Sequence, residues 1–170
     1  LLEGVRPLSC TAELTREITG VSCDSQKIQP GYVFAAIPGT QADGRRYISQ
    51  AMARGACCVV CREVPQAEVP YVLVRSVRRT LAQMAKNYFG DPAAGMTLVG
   101  VTGTNGKTTT TYLIKRILEA VLHTKVGLIG TIQNMVGQRT EEAARTTPDA
   151  WQMQELLRTM ADEGCTHVVM

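Results

Sequence analysis

The sequence predicts an α/β fold built as two successive units, and three observations carry that reading. Short apolar runs alternate with segments of helical periodicity, a turn-rich stretch Gly90-Asp91-Pro92-Ala93-Ala94-Gly95 interrupts them, and a glycine-rich loop sits between an apolar run and an amphipathic segment. Strands alternating with helices predict parallel sheets joined by right-handed crossovers. The interruption places the first domain at residues 1–90 and the second at 91–170.

In the first unit, residues 32–37 (Tyr-Val-Phe-Ala-Ala-Ile) form a predicted strand entered through the Pro30-Gly31 turn and left through Pro38-Gly39. Residues 47–54 read as a short helix that Gly55 stops. Strands follow at 57–61 and 71–74, then a helix over 77–88 carrying Leu81, Met84, Ala85 and Tyr88. In the second unit the order is strand 96–101, loop, helix 108–122, strand 125–129, helix 149–162 and strand 167–170. Helix 108–122 has Leu113, Ile114, Ile117, Leu118, Val121 and Leu122 at i, i+3, i+4 spacing. A three-stranded parallel sheet would leave apolar edges and faces uncovered, and the chain opens on Leu1-Leu2-Glu3 without an initiator methionine. The expectation is therefore a piece of a longer protein.

Composition narrows the partners. The chain has 170 residues, 45% of them apolar, and a formal charge of +3 with no basic stripe interleaved with aromatics, which argues against a nucleic-acid partner. No apolar stretch has the length of a membrane span and no leader pattern opens the chain, so a cytoplasmic protein without a membrane partner is expected. Cys10, Cys23, Cys57, Cys58, Cys61 and Cys165 are the six cysteines. Cys57-Cys58-x-x-Cys61 contains one pair at metal-ligand spacing, but no second pair or histidine cluster completes a four-ligand set. Lying in Ala56-Cys57-Cys58-Val59-Val60-Cys61, these thiols read as small hydrophobes of a buried strand.

The loop Gly103-Thr104-Asn105-Gly106-Lys107-Thr108-Thr109 carries the chemistry. Glycines let successive backbone N–H groups converge on one concavity, as a phosphate requires. Lys107 adds a mobile charge for the terminal phosphates of ATP or GTP, and the Thr108 hydroxyl is placed to ligate the accompanying Mg²⁺. The usual G-x-x-x-x-G-K-[ST] template fails at one position, because its first glycine falls on Val101; what stands is Gly100-x-x-Gly103-x-x-Gly106-Lys107-Thr108. A helix starting at the end of the loop directs its free N–H groups at the phosphates. His123 and His167 are the only histidines and sit in no catalytic constellation.

The run from Gly100 to Thr111, Gly-Val-Thr-Gly-Thr-Asn-Gly-Lys-Thr-Thr-Thr-Thr, resembles the ATP-binding loop of the Mur ligases, cytoplasmic ATP-dependent enzymes of peptidoglycan biosynthesis. Upstream, Asp24-Ser25, Gln29-Pro30-Gly31, Phe34-Ala35-Ala36-Ile37-Pro38-Gly39, Asp43-Gly44 and Gly55-Ala56 are similar, in that order, to the nucleotide-sugar-binding domain of the same family. Thr146-Thr147-Pro148 followed by a helix looks like the MurE branch, and the similarity runs over about residues 21–170.

The resemblance implies a small N-terminal domain that binds UDP-N-acetylmuramoyl-dipeptide, followed by the first part of a P-loop, Rossmann-like ATPase domain, with a C-terminal domain beyond. It implies ATP binding at Gly103, Thr104, Asn105, Gly106, Lys107, Thr108 and Thr109, with Lys107 catalytic and Thr108 on Mg²⁺. It implies that Cys23 and Ser25 meet the uracil or ribose end of the UDP substrate, Thr40, Gln41 and Ala42 its diphosphate and sugar, and Thr146 and Thr147 its peptide arm. Local structure offers alternatives: Ser25 could close a turn after Asp24, and Thr147 could cap the helix near Asp149. Two departures stand out, Gln26-Lys27 where an arginine commonly follows Asp-Ser and Arg145 where an asparagine often precedes Thr-Thr.

The implied reaction joins a diamino acid, meso-diaminopimelate or L-lysine, to UDP-N-acetylmuramoyl-L-Ala-D-Glu through an acyl phosphate. The whole protein is expected to act as a monomer on small molecules, and the 170 residues alone are expected not to turn over. A MurF-type ligase and a nucleotide-binding module without chemistry are the competing readings.

Overall fold

The computed structural model describes residues 1–39, 43–143 and 147–170. The chain divides into two compact units, Leu1–Asn87 and Tyr88–Met170.

The first unit is a five-stranded sheet, β1 (Ser9–Cys10), β2 (Gly20–Ser22), β3 (Tyr32–Ala35), β4 (Cys58–Cys61) and β5 (Tyr71–Leu73), in the order β1-β5-β4-β3-β2. Strands β2 to β5 pair in parallel and β1 runs antiparallel on β5. Both faces are buried, as parallel sheets require. Phe34, Val59 and Cys61 point to one side with Ala36, Ile48 and Ala51, the last two from helix α1 (Ile48–Ala53). Their neighbours Val33, Val60, Val72 and Val74 are no more than 2% exposed. Helix α2 (Val77–Tyr88) has the predicted bounds and buries Leu81, Met84 and Ala85, although Tyr88 stays exposed. Gly55 stops α1 in a left-handed conformation (φ 97°), where an added Cβ would also meet Pro30 Cα at 3.0 Å.

The thiols in and just ahead of β4 are apolar filling. Cys57, Cys58 and Cys61 are at most 7% exposed, and burial pushes Cys58 up to about 12 and Cys61 to about 11.

The second unit holds β6 (Thr97–Val99), α3 (Lys107–Leu122), β7 (Lys125–Leu128), β8 (Gln133–Val136), β9 (Arg139–Glu142), α4 (Ala150–Asp162) and β10 (Cys165–Val169), with sheet order β6-β10-β7-β8-β9. The three predicted strands are present and parallel. The sequence reading lacked the antiparallel hairpin β8–β9, which widens the sheet from three strands to five. Its turn is set by Gly137, held at φ 58°.

Helix α3 differs from expectation in what it buries. Tyr112, Ile114 and Leu118 pack on Val126, Leu128, Met135 and Val169, while Leu113, Ile117, Val121 and Leu122 are exposed. One sheet face covers only one side of a helix, and the apolar positions of this one extend past that side.

The residue that fastens α3 is Lys115, 2% exposed. Its ammonium pairs with Glu119 one turn on and donates to Val126 O at 2.8 Å and Gly137 O at 2.9 Å. A buried cation is tolerated because all its donors are used. The same contact ties helix, central strand and hairpin turn together.

At α4, Asp149 forms a capping box: its carboxylate accepts from Trp151 N at 3.0 Å and Gln152 N at 2.9 Å, and the Gln152 side chain accepts from Asp149 N. The cap is therefore Asp149, and Thr147 is not needed for it.

Candidate functional site

The second unit places its candidate site where the parallel strands end. Gly100 and Val101 follow β6, Ile129 and Gly130 follow β7, and Met170 follows β10; all five line one cavity of about 460 Å³. Ligands of open α/β sheets collect at these carboxyl ends, because loops and helix N-termini converge there.

Lys107, Thr108 and Thr147 line the same cavity. Three residues that the sequence brings in separately, two from the loop and one from the segment ahead of α4, are thus neighbours of one space. Thr111 and Thr131 join them and were not anticipated. For Thr131 the legible signal was its position just beyond a predicted strand end.

Helix α3 begins at Lys107 with no side-chain cap, and its first helical hydrogen bond runs from Thr110 N to Gly106 O at 2.9 Å. The N–H groups of Lys107, Thr108 and Thr109 precede that bond and have no helical acceptor. Gly106 sits in the left-handed region (φ 78°), which turns the loop into the helix. An added Cβ at Gly100 or Gly106 would meet no atom within 4 Å, so neither glycine is required by packing and the space beside the loop is open. Gly103, Thr104, Asn105, Gly106 and Thr109 are exposed and Lys107 and Thr108 half-buried. The Lys107 ammonium donates to Gly103 O at 2.6 Å. Uncapped donors, a cation on a flexible stem and a hydroxyl at the cavity wall form a set that fits a triphosphate with its magnesium.

In the first unit, Ser25 is 6% exposed and its hydroxyl donates to Gln50 Oε1 at 2.8 Å. The turn after β2 is closed by Asp24, whose carboxylate accepts from Gln26 N at 2.9 Å. Cys23 is half-buried beside it. Thr40, Gln41, Ala42 and Thr146 lie outside the described residues. On the far side of residues 40–42, Asp43 accepts from Arg45 N at 3.0 Å and Arg45 Nε at 2.7 Å, and the Arg45 guanidinium holds its carboxyl below the usual range. His123 is a left-handed C-cap whose N–H donates to Glu119 O, and His167 Nδ1 meets Thr166 Oγ1 at 2.9 Å on β10; neither lines the cavity.

Comparison with known families decides the kinship. Residues 17–89 match the Mur ligase family, catalytic domain, and residues 101–170 the Mur ligase middle domain. The chain belongs to the Mur ligase family. Among curated Mur ligases, the UDP-N-acetylmuramoyl-L-alanyl-D-glutamate--2,6-diaminopimelate ligase of Caldanaerobacter subterraneus subsp. tengcongensis is 45% identical over 156 residues, 91% of this chain and 32% of that protein. A solved structure of a ligase of the same name superposes over 99% of this chain and 35% of its own, at 26% identity and TM-score 0.80. The MurF ligase of Thermotoga maritima in complex with ADP aligns over 88% of this chain and 30% of its own, at 25% identity and TM-score 0.58. The chain spans about a third of the length of the Mur ligases it matches.

Proposed function

We propose that this chain supplies the sugar-nucleotide-binding unit and the ATP loop of a MurE-type ligase, which joins 2,6-diaminopimelate to UDP-N-acetylmuramoyl-L-Ala-D-Glu at the expense of ATP. The observation that carries the proposal is the shared cavity of Lys107, Thr108 and Thr147 at the strand ends. The higher TM-score to the diaminopimelate ligase than to the MurF ligase supports this branch.

In this reading Gly103, Thr104, Asn105, Gly106 and Thr109 cradle the ATP phosphates with the N–H groups of the α3 N-terminus. Lys107 exchanges its bond to Gly103 O for phosphate oxygens. Thr108 holds Mg²⁺, which supplies charge neutralisation when bound. A carboxylate of the dipeptide and the triphosphate repel one another. The chain's contribution is to cancel that repulsion with Lys107 and the helix N-terminus, and to hold the two in line through Thr146 and Thr147. The carboxylate oxygen takes the γ-phosphoryl group of ATP as the β–γ bridge breaks and ADP leaves, and the incoming amine then displaces phosphate from the acyl phosphate to give the amide. Cys23 and Ser25 are assigned the uracil or ribose end, Ser25 exchanging its bond to Gln50, and Thr40, Gln41 and Ala42 the diphosphate and sugar.

Isothermal calorimetry tests the reading. Binding of both ATP and UDP-N-acetylmuramoyl-dipeptide is expected. A nucleotide-binding module without ligase chemistry would take ATP and ignore the sugar nucleotide, and that result would overturn the proposal.

A further inference from the structure

A cavity of the first unit lies at the start of α2 and has no part in the reading above. It measures about 580 Å³ and is lined by Arg6, Arg75, Ser76, Arg79, Thr80 and Gln83 among others, with no aspartate or glutamate in its wall. Arg6, Arg75 and Arg79 are exposed and make no ion pair among the described residues.

The first turn of α2 carries no acidic residue; instead Arg78 and Arg79 stand there and Arg75 just before it. Cations at a helix N-terminus oppose the backbone dipole, so the arrangement is unfavourable unless an anion sits among them. Thr80 is 7% exposed and lines the cavity, yet its hydroxyl makes no hydrogen bond to a described residue, while its backbone N–H is taken by Ser76 O at 3.0 Å. A hydroxyl on the cavity wall that makes no hydrogen bond to a described residue is open to an acceptor that enters.

We propose that this cavity binds a phosphate-class anion, with Arg75 and Arg79 as the charged clamp, Arg6 closing from the N-terminal segment, and the Thr80 hydroxyl completing the donor set. Guanidinium forks match the oxygens of phosphate in a bidentate manner, whereas a carboxylate offers fewer acceptors to three arginines. The site shares no residue with the Lys107 cavity and does not depend on the ligase reading.

Residue-resolved amide NMR at constant ionic strength tests it, with inorganic phosphate, pyrophosphate and UDP as separate probes. Saturable shifts are expected at residues 75–80. The double variant Arg75→Gln with Arg79→Gln should weaken that binding by roughly tenfold or more, and Thr80→Val by less. Lys107→Ala should leave the shifts in place. Equal affinity for phosphate and pyrophosphate would assign a free phosphate, and tighter binding of pyrophosphate or UDP a diphosphate; both support the site. Shifts that never saturate, or that survive the double variant, would overturn it. Both arginines are exposed, so the thermal melt of the variant should match the parent, and the parent titration alone decides the outcome if it does not.

Discussion

The ammonium of Lys107 is bound to the carbonyl of Gly103, at 2.6 Å across the loop that both residues frame. The loop closes on its own cation. A phosphate must therefore replace a neutral acceptor rather than meet an idle charge, and the exchange is favourable because a phosphate oxygen is the stronger partner.

Lys107→Ala is accordingly expected to cost about 1.5–3 kcal/mol of ATP binding, roughly tenfold to a hundredfold in Kd. Calorimetry reads it. Affinity within twofold of the parent would show that the lysine has no share in the site.

Removing Lys115 should damage the fold rather than the site. Lys115→Met leaves Glu119 without its cation and the carbonyls of Val126 and Gly137 without a donor, a loss of about 3 kcal/mol. Urea denaturation of the second unit measures it, and a midpoint unchanged from the parent contradicts the pin described above.

Asp149→Ala should lower stability by about 1 kcal/mol, because the N–H groups of Trp151 and Gln152 lose their acceptor. Asp149→Asn, which keeps an acceptor oxygen, should recover most of it. Equal losses in the two variants would assign the effect to charge instead of capping.

Thiol chemistry should separate the cysteines by burial. At pH 8, Cys10 is expected to react with a disulfide reagent at once, and Cys58 and Cys61 only after denaturant is added. Their folded thiols titrate above the value of about 8.5 for an unfolded one. The stability they contribute is therefore complete below that value and declines as pH rises toward 11 and 12. A urea midpoint that falls between pH 8 and pH 10.5, and falls less in Cys61→Val, is the expected result. Identical slopes in parent and variant would refute it.

Elements with a local signature were legible. Helix α2 has its predicted bounds because its apolar stripe is regular, and the phosphate loop stands out because glycines and a lysine follow a strand. The hairpin β8–β9 escaped: β9 is Arg-Thr-Glu-Glu, exposed throughout and poor in strand-forming residues, and pairing alone makes it a strand. Lys115 was equally hidden. A lysine on a helix reads as solvated, and its acceptors come from residues 11 and 22 positions away that only the tertiary fold brings close. Ser25 was found as a candidate, but its bond to Gln50 crosses 25 residues and no local pattern shows it.

Lys115 also bears on how the second unit assembles. With helix α3 on the sheet but the hairpin undocked, its ammonium would be buried with one acceptor missing; with β7 also unformed, two would be missing. Each missing acceptor costs such a state about 1–3 kcal/mol or more. Partly built forms are thereby penalised, and the helix that carries the phosphate loop is held in place only when strand and hairpin have closed around it, which makes the unit cooperative by charge as well as by packing.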